Sequence, residues 1–325
     1  HASLLVLADP ETEAAAGRRV IDRLRAAGYV IAEVILPPHP HADDMTVASV
    51  RDTAAAAGAS IPDAVVAVGA GTISDIGKAL AFDWQRPLVT VGTAASMNGY
   101  TSSIVALTVR GLKRTLPSRP PRVLVLDTDV LAAAPARMTR AGFGDLTSKP
   151  ASGADWVLSH WLGFDPLCPT ALSMADQAVT TARTCAAGIG HADRDAVGTL
   201  AAALVVSGFA MDVAGMSSPA SGGEHLISHY LDISARGWQR EPWLHGEQVA
   251  VGTALSLALY ARLRLLGPPE STTLTPVDED DDTVRRLHAH LEANALAELV
   301  QQAVAKRERS PDRALRRSLY AARWN

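Results

Sequence analysis

Up to Asp127 the chain alternates short, continuously apolar runs with longer amphipathic stretches. Leu4-Leu5-Val6-Leu7 opens the series. Residues 12–27 carry Val20, Ile21 and Leu24 at helical spacing and stop at Gly28. A β-branched run, 30–36, ends at Pro37-Pro38, and a helical stretch, 45–57, ends near Gly58. Ala64-Val65-Val66-Ala67-Val68 is apolar throughout, as a strand covered on both faces must be. A Gly-rich loop, a helix to Phe82 and a further strand, 87–91, follow. This order predicts an α/β domain with a doubly wound, mostly parallel Rossmann-like sheet. Residues 92–103 are too polar for core. Ile104 to Val109 with 110–113 predicts a hairpin, and 122–127 the last strand.

After Pro135 strand patterns disappear and Gly and Pro punctuate helical stretches at 171–188, 195–215, 224–235, 247–266 and 282–305. The expected organisation is a nucleotide-binding α/β domain over 1–133 and an all-α domain over 134–325. Asp278 to Asp282, an acidic run, reads as a solvated helix start.

Composition narrows the function classes. The 30 basic and 34 acidic residues are interspersed and the net charge is −4, which points away from nucleic acid and anionic membranes. No membrane span is expected, the longest apolar candidate being Val249 to Tyr260. No signal peptide is expected, and a native N-terminus upstream of His1 is. Cys168 and Cys185 fit two ordinary thiols in a reducing cytoplasm.

Two stretches carry chemistry. Gly69-Ala70-Gly71-Thr72-Ile73-Ser74-Asp75 follows a buried strand and opens a helix. Its glycines permit close backbone approach, and free N–H groups at a helix start attract a diphosphate. Thr72 and Asp75 have the spacing of a capping box. Thr93, Ala94 and Ser96 follow the next strand and add hydroxyls at the same sheet edge. The second strand ends in Pro37-Pro38-His39 with no acid behind it, which leaves both NAD and NADP open. The second stretch is Ser221 to Tyr230, where His225 and His229 stand four apart and share one helical face. His245 follows beside Gly246 and Glu247. Asp145 lies in Gly142-Phe143-Gly144-Asp145, and alone reads as a capping Asp at a helix entry.

Gly-Ala-Gly-Thr-Ile-Ser-Asp, Thr-Ala-Ala-Ser, Ala-Gly-Phe-Gly-Asp-Leu-Thr-Ser-Lys, Ser-Gly-Gly-Glu-His-Leu-Ile-Ser-His and His-Gly-Glu-Gln-Val occur in that order. Together, over residues 60–255, they resemble the sn-glycerol-1-phosphate dehydrogenase family. That family belongs with the iron-containing alcohol dehydrogenases, glycerol dehydrogenases and 3-dehydroquinate synthases. The resemblance implies reversible reduction of glycerone phosphate with NAD(H) or NADP(H). It implies one divalent metal, zinc by default with nickel or iron as alternatives, on Asp145, His225 and His245. It places His229 against substrate, and the nucleotide along Gly69 to Ile73 and Thr93 to Ser96, with Asp75 in the same loop and Ser102 nearby. Where the family usually has Asp, this chain has Asn98, which leaves substrate preference open. The alternatives are a polyol or alcohol dehydrogenase, a dehydroquinate-synthase-like cyclase, or a binding homologue without turnover. Lys113 and Lys149 are candidate phosphate partners, although each reads first as a solvated lysine. A homodimer or higher oligomer is implied, with the strand 104–109, expected to be exposed, as a contributor.

Overall fold

The computed structural model describes residues 2–56, 61–110, 112–237, 240–241 and 243–266, together with Arg286 and Ala289. The acidic run at 278–282 and the helix expected over 282–305 lie outside these residues, those two positions apart.

Five strands form one parallel sheet: β1 (Ser3–Ala8), β2 (Val30–Ile35), β3 (Ala64–Gly69), β4 (Leu88–Gly92) and β7 (Val123–Leu126), in the order β2-β1-β3-β4-β7. The register brings their carboxyl ends level: Ala8 faces Ile35, Gly69 faces Gly92, and Gly92 faces Leu126. Past Ser3, β1 and β3 are apolar because both faces are covered. Leu5, Leu7, Val65 and Ala67 pack under α3 (Asp44–Ala56) and α4 (Gly71–Asp83). The alternate residues Leu4, Val6, Val66 and Val68 pack against Ala16 and Ile21. That helical layer is α1 (Pro10–Thr12), a π turn (Glu13–Gly17) and α2 (Arg18–Ala26), ended by Gly28 at φ 87°. Each fully buried Leu, Ile or Val contributes roughly 1.5–3 kcal/mol.

β5 (Ile104–Val109) and β6 (Leu112–Pro117) make a separate antiparallel hairpin. β5 was expected to be exposed, but it buries Val105 and Leu107 in the core beneath the sheet.

All described structure after β7 is helical: α5 (Thr128–Ala133), α6 (Ala136–Leu146), α7 (Lys149–Trp161), α8 (Pro169–Thr184), α9 (Ala186–Gly190), α10 (Arg194–Ala214), α11 (Gly223–Gly237) and α12 (His245–Leu266). α10 is the longest apolar candidate, in place of the expected 249–260, and by length and composition it is long enough to cross a membrane. It is a core helix here: Val197, Leu200 and Leu204 pack against Ala178, Val179 and Ala182 of α8 and against Leu131 and Leu146. α12 leaves Leu255 and Leu259 exposed among the described residues.

Gly142 and Gly144 were read as a loop leading into a helix, with Asp145 as its cap. They lie inside α6, and Asp145 is its penultimate residue. Their role is close packing. A Cβ on Gly142 would stand 1.9 Å from the Ala95 carbonyl oxygen, and one on Gly246 would stand 1.8 Å from the Ala141 carbonyl oxygen. α6 is thereby pressed against both the β4 loop and α12.

Candidate metal and nucleotide site

A cleft of about 1150 Å³ runs between the carboxyl edge of the sheet and the helices. Its wall includes Ala70, Gly71, Thr72, Ile73 and Asp75 from the Gly-rich loop, Thr93, Ala94, Ser96 and Asn98 after β4, Ser102, and the three histidines 225, 229 and 245.

On the sheet side the expected capping box does not form. α4 begins two residues earlier than that reading required, with Ala70 at the cap and no side-chain bond to its first turn. Helix-start N–H groups that Thr72 and Asp75 would have used are therefore open to a ligand. Gly69 closes β3 beneath the loop, where a Cβ would stand 2.5 Å from the Ile73 side chain. Asp75 accepts the Ala106 N–H, and its pKa is pushed up to about 6, chiefly by burial, against the pull of Lys78 and Lys113. Ser102 is internally engaged: its hydroxyl lies 3.0 Å from the Gly99 and Ile104 carbonyl oxygens and 3.1 Å from Lys78 Nζ. Lys78, buried, also donates to the carbonyls of Gly99, Ser102 and Ile104, which pins the turn after Asn98.

On the helical side Asp145, His225 and His245 come together. One donor atom from each lies within 4.8 Å of the others. Asp145 is fully buried. Its Oδ2 accepts the Asn98 backbone N–H at 3.0 Å and its Oδ1 accepts from Lys149 Nζ at 3.1 Å. Burial alone would raise its pKa, but Lys149, with the nearby His225 and His245, holds it far below the usual carboxylate range.

Both imidazoles are fixed in one tautomer by their neighbours. His225 Nδ1 lies 2.8 Å from Glu224 Oε1, a carboxylate held ionised against burial, so Nδ1 carries the proton. The open nitrogen, Nε2, then faces Asp145 Oδ1 at 3.6 Å. For His245 the assignment follows a chain. Gln248 Nε2 donates to Asp232 Oδ1, which turns Gln248 Oε1 toward the Ser228 hydroxyl at 2.8 Å. The Ser228 proton is spent there, so its oxygen accepts from His245 Nδ1 at 3.3 Å. With Nδ1 of each ring engaged by its neighbour, the two Nε2 atoms are left as donors beside one ionised carboxylate. Such an N₂O set suits a divalent transition metal with coordination positions to spare.

His229, on the same helical face as His225, lines the cleft without a hydrogen-bond partner among the described residues. Its pKa falls to about 4 through burial and the nearby Lys113 and His225, so it is neutral near pH 7. Asn98 is buried at the cleft floor, with Nδ2 3.3 Å from the Ser207 hydroxyl of α10. Neither candidate phosphate lysine is free. Lys149 is fully buried behind Asp145, and Lys113 pairs with Asp232 at 2.5 Å. Cys168 and Cys185 are free thiols.

Sequence reasoning missed four groups: Glu224, Ser228, Asp232 and Gln248, which orient the imidazoles. The signal for the first was its position next to His225; the others are visible only once α11 and α12 are packed. It also sought the acid that meets a ribose after the second strand. In the sheet, β1 is the neighbour of β3, and the residue that follows β1 on the cleft wall is Asp9. Asp9 takes that place on the cleft wall through strand order, which the local sequence does not show.

Residues 1–135 match the family model described as iron-containing alcohol dehydrogenase. The chain is 32% identical over 263 residues to the glycerol-1-phosphate dehydrogenase [NAD(P)+] of Geobacillus thermodenitrificans, covering 81% of this chain and 65% of that protein. To the enzyme of that name from Geobacillus stearothermophilus it is 33% identical over 290 residues, 88% of this chain and 70% of that one. The chain thus spans just under two thirds of the first relative. A crystal structure of a probable glycerol dehydrogenase from Sinorhizobium meliloti matches the fold with TM-score 0.63 at 22% identity, covering 99% of this chain and 90% of that one.

Proposed function

The chain belongs to the glycerol-1-phosphate dehydrogenase family, and on that premise we propose that it is a metal-dependent, NAD(P)-linked oxidoreductase that reduces glycerone phosphate to sn-glycerol 1-phosphate, reversibly. The observation that carries this reading is the convergence of His225 and His245 on the cleft wall, with the buried Asp145 behind them, in the same cleft that takes in the open start of α4. A divalent cation, zinc first and nickel or iron otherwise, would supply Lewis-acid polarisation of a carbonyl there, and a nicotinamide the hydride.

The protein's part is positioning and proton handling. The first turn of α4 would receive the diphosphate on main-chain N–H groups. Asp145, His225 and His245 would hold the metal, with Glu224 and Ser228 fixing the ring orientations. His229 faces the cleft neutral, able to donate or accept one proton at the substrate oxygen. Asn98 on the cleft floor meets the substrate as an amide.

Asp9 favours NADH over NADPH. Its Oδ1 caps α1 by accepting the Thr12 N–H at 2.8 Å, which leaves Oδ2 for ribose hydroxyls and sets a negative charge against a 2′-phosphate. A second reading, a polyol or alcohol dehydrogenase on an unphosphorylated substrate, is favoured by one observation. Of the described cations lining the cleft, Lys113 is already paired, which leaves Arg240. The division into a nucleotide side up to residue 133 and a helical side from 134, assembly as a homo-oligomer, and a cytoplasmic site of action complete the reading.

The test is purification of wild type, Asp145→Ala and His245→Ala, with metal content and cofactor oxidation measured on glycerone phosphate, dihydroxyacetone and a heptulosonate phosphate. Both variants should lose metal and at least about 10³-fold in activity while staying folded. Full activity in a metal-free variant would sink the proposal. Steady turnover on dihydroxyacetone alone selects the second reading, and consumption of the heptulosonate without net cofactor change selects the cyclase.

A further inference from the structure

Lys149 is fully buried, with every ammonium hydrogen matched to an acceptor. Nζ lies 3.1 Å from Asp145 Oδ1, 3.1 Å from Ser148 Oγ and 2.9 Å from the Ala220 carbonyl oxygen. It stands at the first residue of α7, four residues after Asp145, and ties the end of α6 to the turn that precedes α11. A lysine so enclosed cannot reach a substrate. Its one charged partner is the carboxylate that converges with His225 and His245.

We propose that Lys149 is a built-in counter-cation, which neutralises Asp145 while the site holds no metal and thereby lowers the affinity of the site for a divalent cation. The proposal rests on the metal reading above.

The argument is a count of buried charge. Two fully buried carboxylates lie in this corner, Asp145 and Glu224, with the partly exposed Asp155 beside Glu224, and Glu224 Oε2 is buried without a hydrogen-bond partner. Lys113 and Asp232 cancel each other. Lys149 is therefore the cation that offsets the excess. Over the fully buried groups Asp145, Glu224 and Lys149, the empty site carries one net negative charge and a loaded site one net positive charge. Without it, the empty site carries two uncompensated carboxylates and the loaded site is neutral. Uncompensated buried charge is the more costly state. Removal of Lys149 accordingly harms the empty protein most and the loaded protein least, and the difference is expressed as tighter metal binding. A lysine that served only as a brace would give the opposite sign, since loosening α6 against α11 spreads the three donors.

The experiment compares wild type, Lys149→Met and the double variant Asp145→Asn/Lys149→Met, each stripped by chelator. Zn²⁺ affinity is measured by competition with a chromophoric chelator, and thermal melting with and without Zn²⁺. For Lys149→Met, the metal-free melting temperature should fall by roughly 10 °C. Excess Zn²⁺ should restore it to near the loaded wild type, and the Kd for Zn²⁺ should drop at least about tenfold. The double variant, with no charge on either partner, should recover at least half of the metal-free loss and bind Zn²⁺ weakly. An unchanged or weaker Kd in Lys149→Met, or failure to fold in excess Zn²⁺, overturns the proposal. Absence of Zn²⁺, Ni²⁺ and Fe²⁺ binding by wild type would overturn the metal reading itself, and this inference with it.

Discussion

The two walls of the cleft are built in different ways. On the sheet side the groups offered to a ligand are main-chain N–H groups at the start of α4, exposed because Ala70 provides no side-chain cap. On the helical side they are side chains from α6, α11 and α12, each held by another side chain. A main-chain site needs only a strand, a turn and a helix in succession. A side-chain site needs three helices at the right separation and a second layer of partners. The first kind is robust to most substitutions that leave the loop intact. The second kind fails if any helix shifts.

The sharpest way to break the comparison is to add one methyl group to each wall. In Gly246→Ala the new Cβ would meet the Ala141 carbonyl oxygen at 1.8 Å, and backbone cannot swing aside as a side chain does. α12 must move off α6 and carry His245 with it. Overpacking of this kind costs about 1–3 kcal/mol or more. Metal retention should fall at least about 10²-fold, while NADH affinity stays within about twofold. In Gly69→Ala the obstacle is the Ile73 side chain at 2.5 Å, and the expected pattern inverts: nucleotide affinity drops and metal retention holds. Parallel loss of both functions in either variant would show that the walls are not separable. Metal analysis and fluorescence titration with NADH decide it.

The next effect lies one layer back. Glu224→Gln keeps an acceptor for the His225 Nδ1 proton and removes the charge behind it. Loss of such a partner typically costs about 10–100-fold in metal affinity, and nucleotide binding should not change. A variant with wild-type Zn²⁺ affinity would mean that Glu224 only caps the Gly222 N–H, which it does at 2.9 Å.

On the sheet side one side chain does matter, and it sharpens the contrast by being an exception. Asp9→Ser removes the charge set against a 2′-phosphate and keeps a helix-capping hydroxyl. The NADPH-to-NADH preference should rise by roughly tenfold, about 1.4 kcal/mol, with metal content unaltered. Equal preference before and after the change would remove Asp9 from the ribose.

How legible each wall was in the sequence follows from the same difference. Gly69-Ala70-Gly71 sits between an apolar run and an amphipathic run, so the nucleotide loop can be read locally. So can the alternation that gives the parallel sheet. The details that failed were those that strand order or helix contact decides. Asp9 is a neighbour of the loop only because β1 lies between β2 and β3. Lys149 looked solvated because nothing local shows that Ala220 and Asp145 enclose it. The family resemblance brought Asp145, His225 and His245 together, whereas spacing alone gave only the four-residue step from His225 to His229. Ser228, Gln248 and Asp232 were beyond reach for the same reason: their chain exists only across the α11–α12 contact.

The smallest expected effect tests whether the open start of α4 is an electrostatic site. Asp75 lies on the cleft wall a few residues along that helix, with its pKa raised to about 6 by burial. Above pH 6 it is ionised and opposes a diphosphate; below pH 6 it is neutral and does not. NADH affinity should therefore rise about threefold to tenfold as pH falls from about 7.5 to about 5.5. The same shift sets a stability slope. The folded pKa lies above the unfolded value of 3.8, so the folded form holds the proton more tightly, and stability gained by protonation is lost as pH rises through about 6. His39 and His41 also line this cleft, so wild type alone does not isolate Asp75. Asp75→Asn does: it keeps an acceptor for the Ala106 N–H, removes the titration and should flatten both slopes. A variant that retains the full pH dependence of NADH binding would assign it to the histidines and leave the main-chain site without an acidic neighbour of consequence.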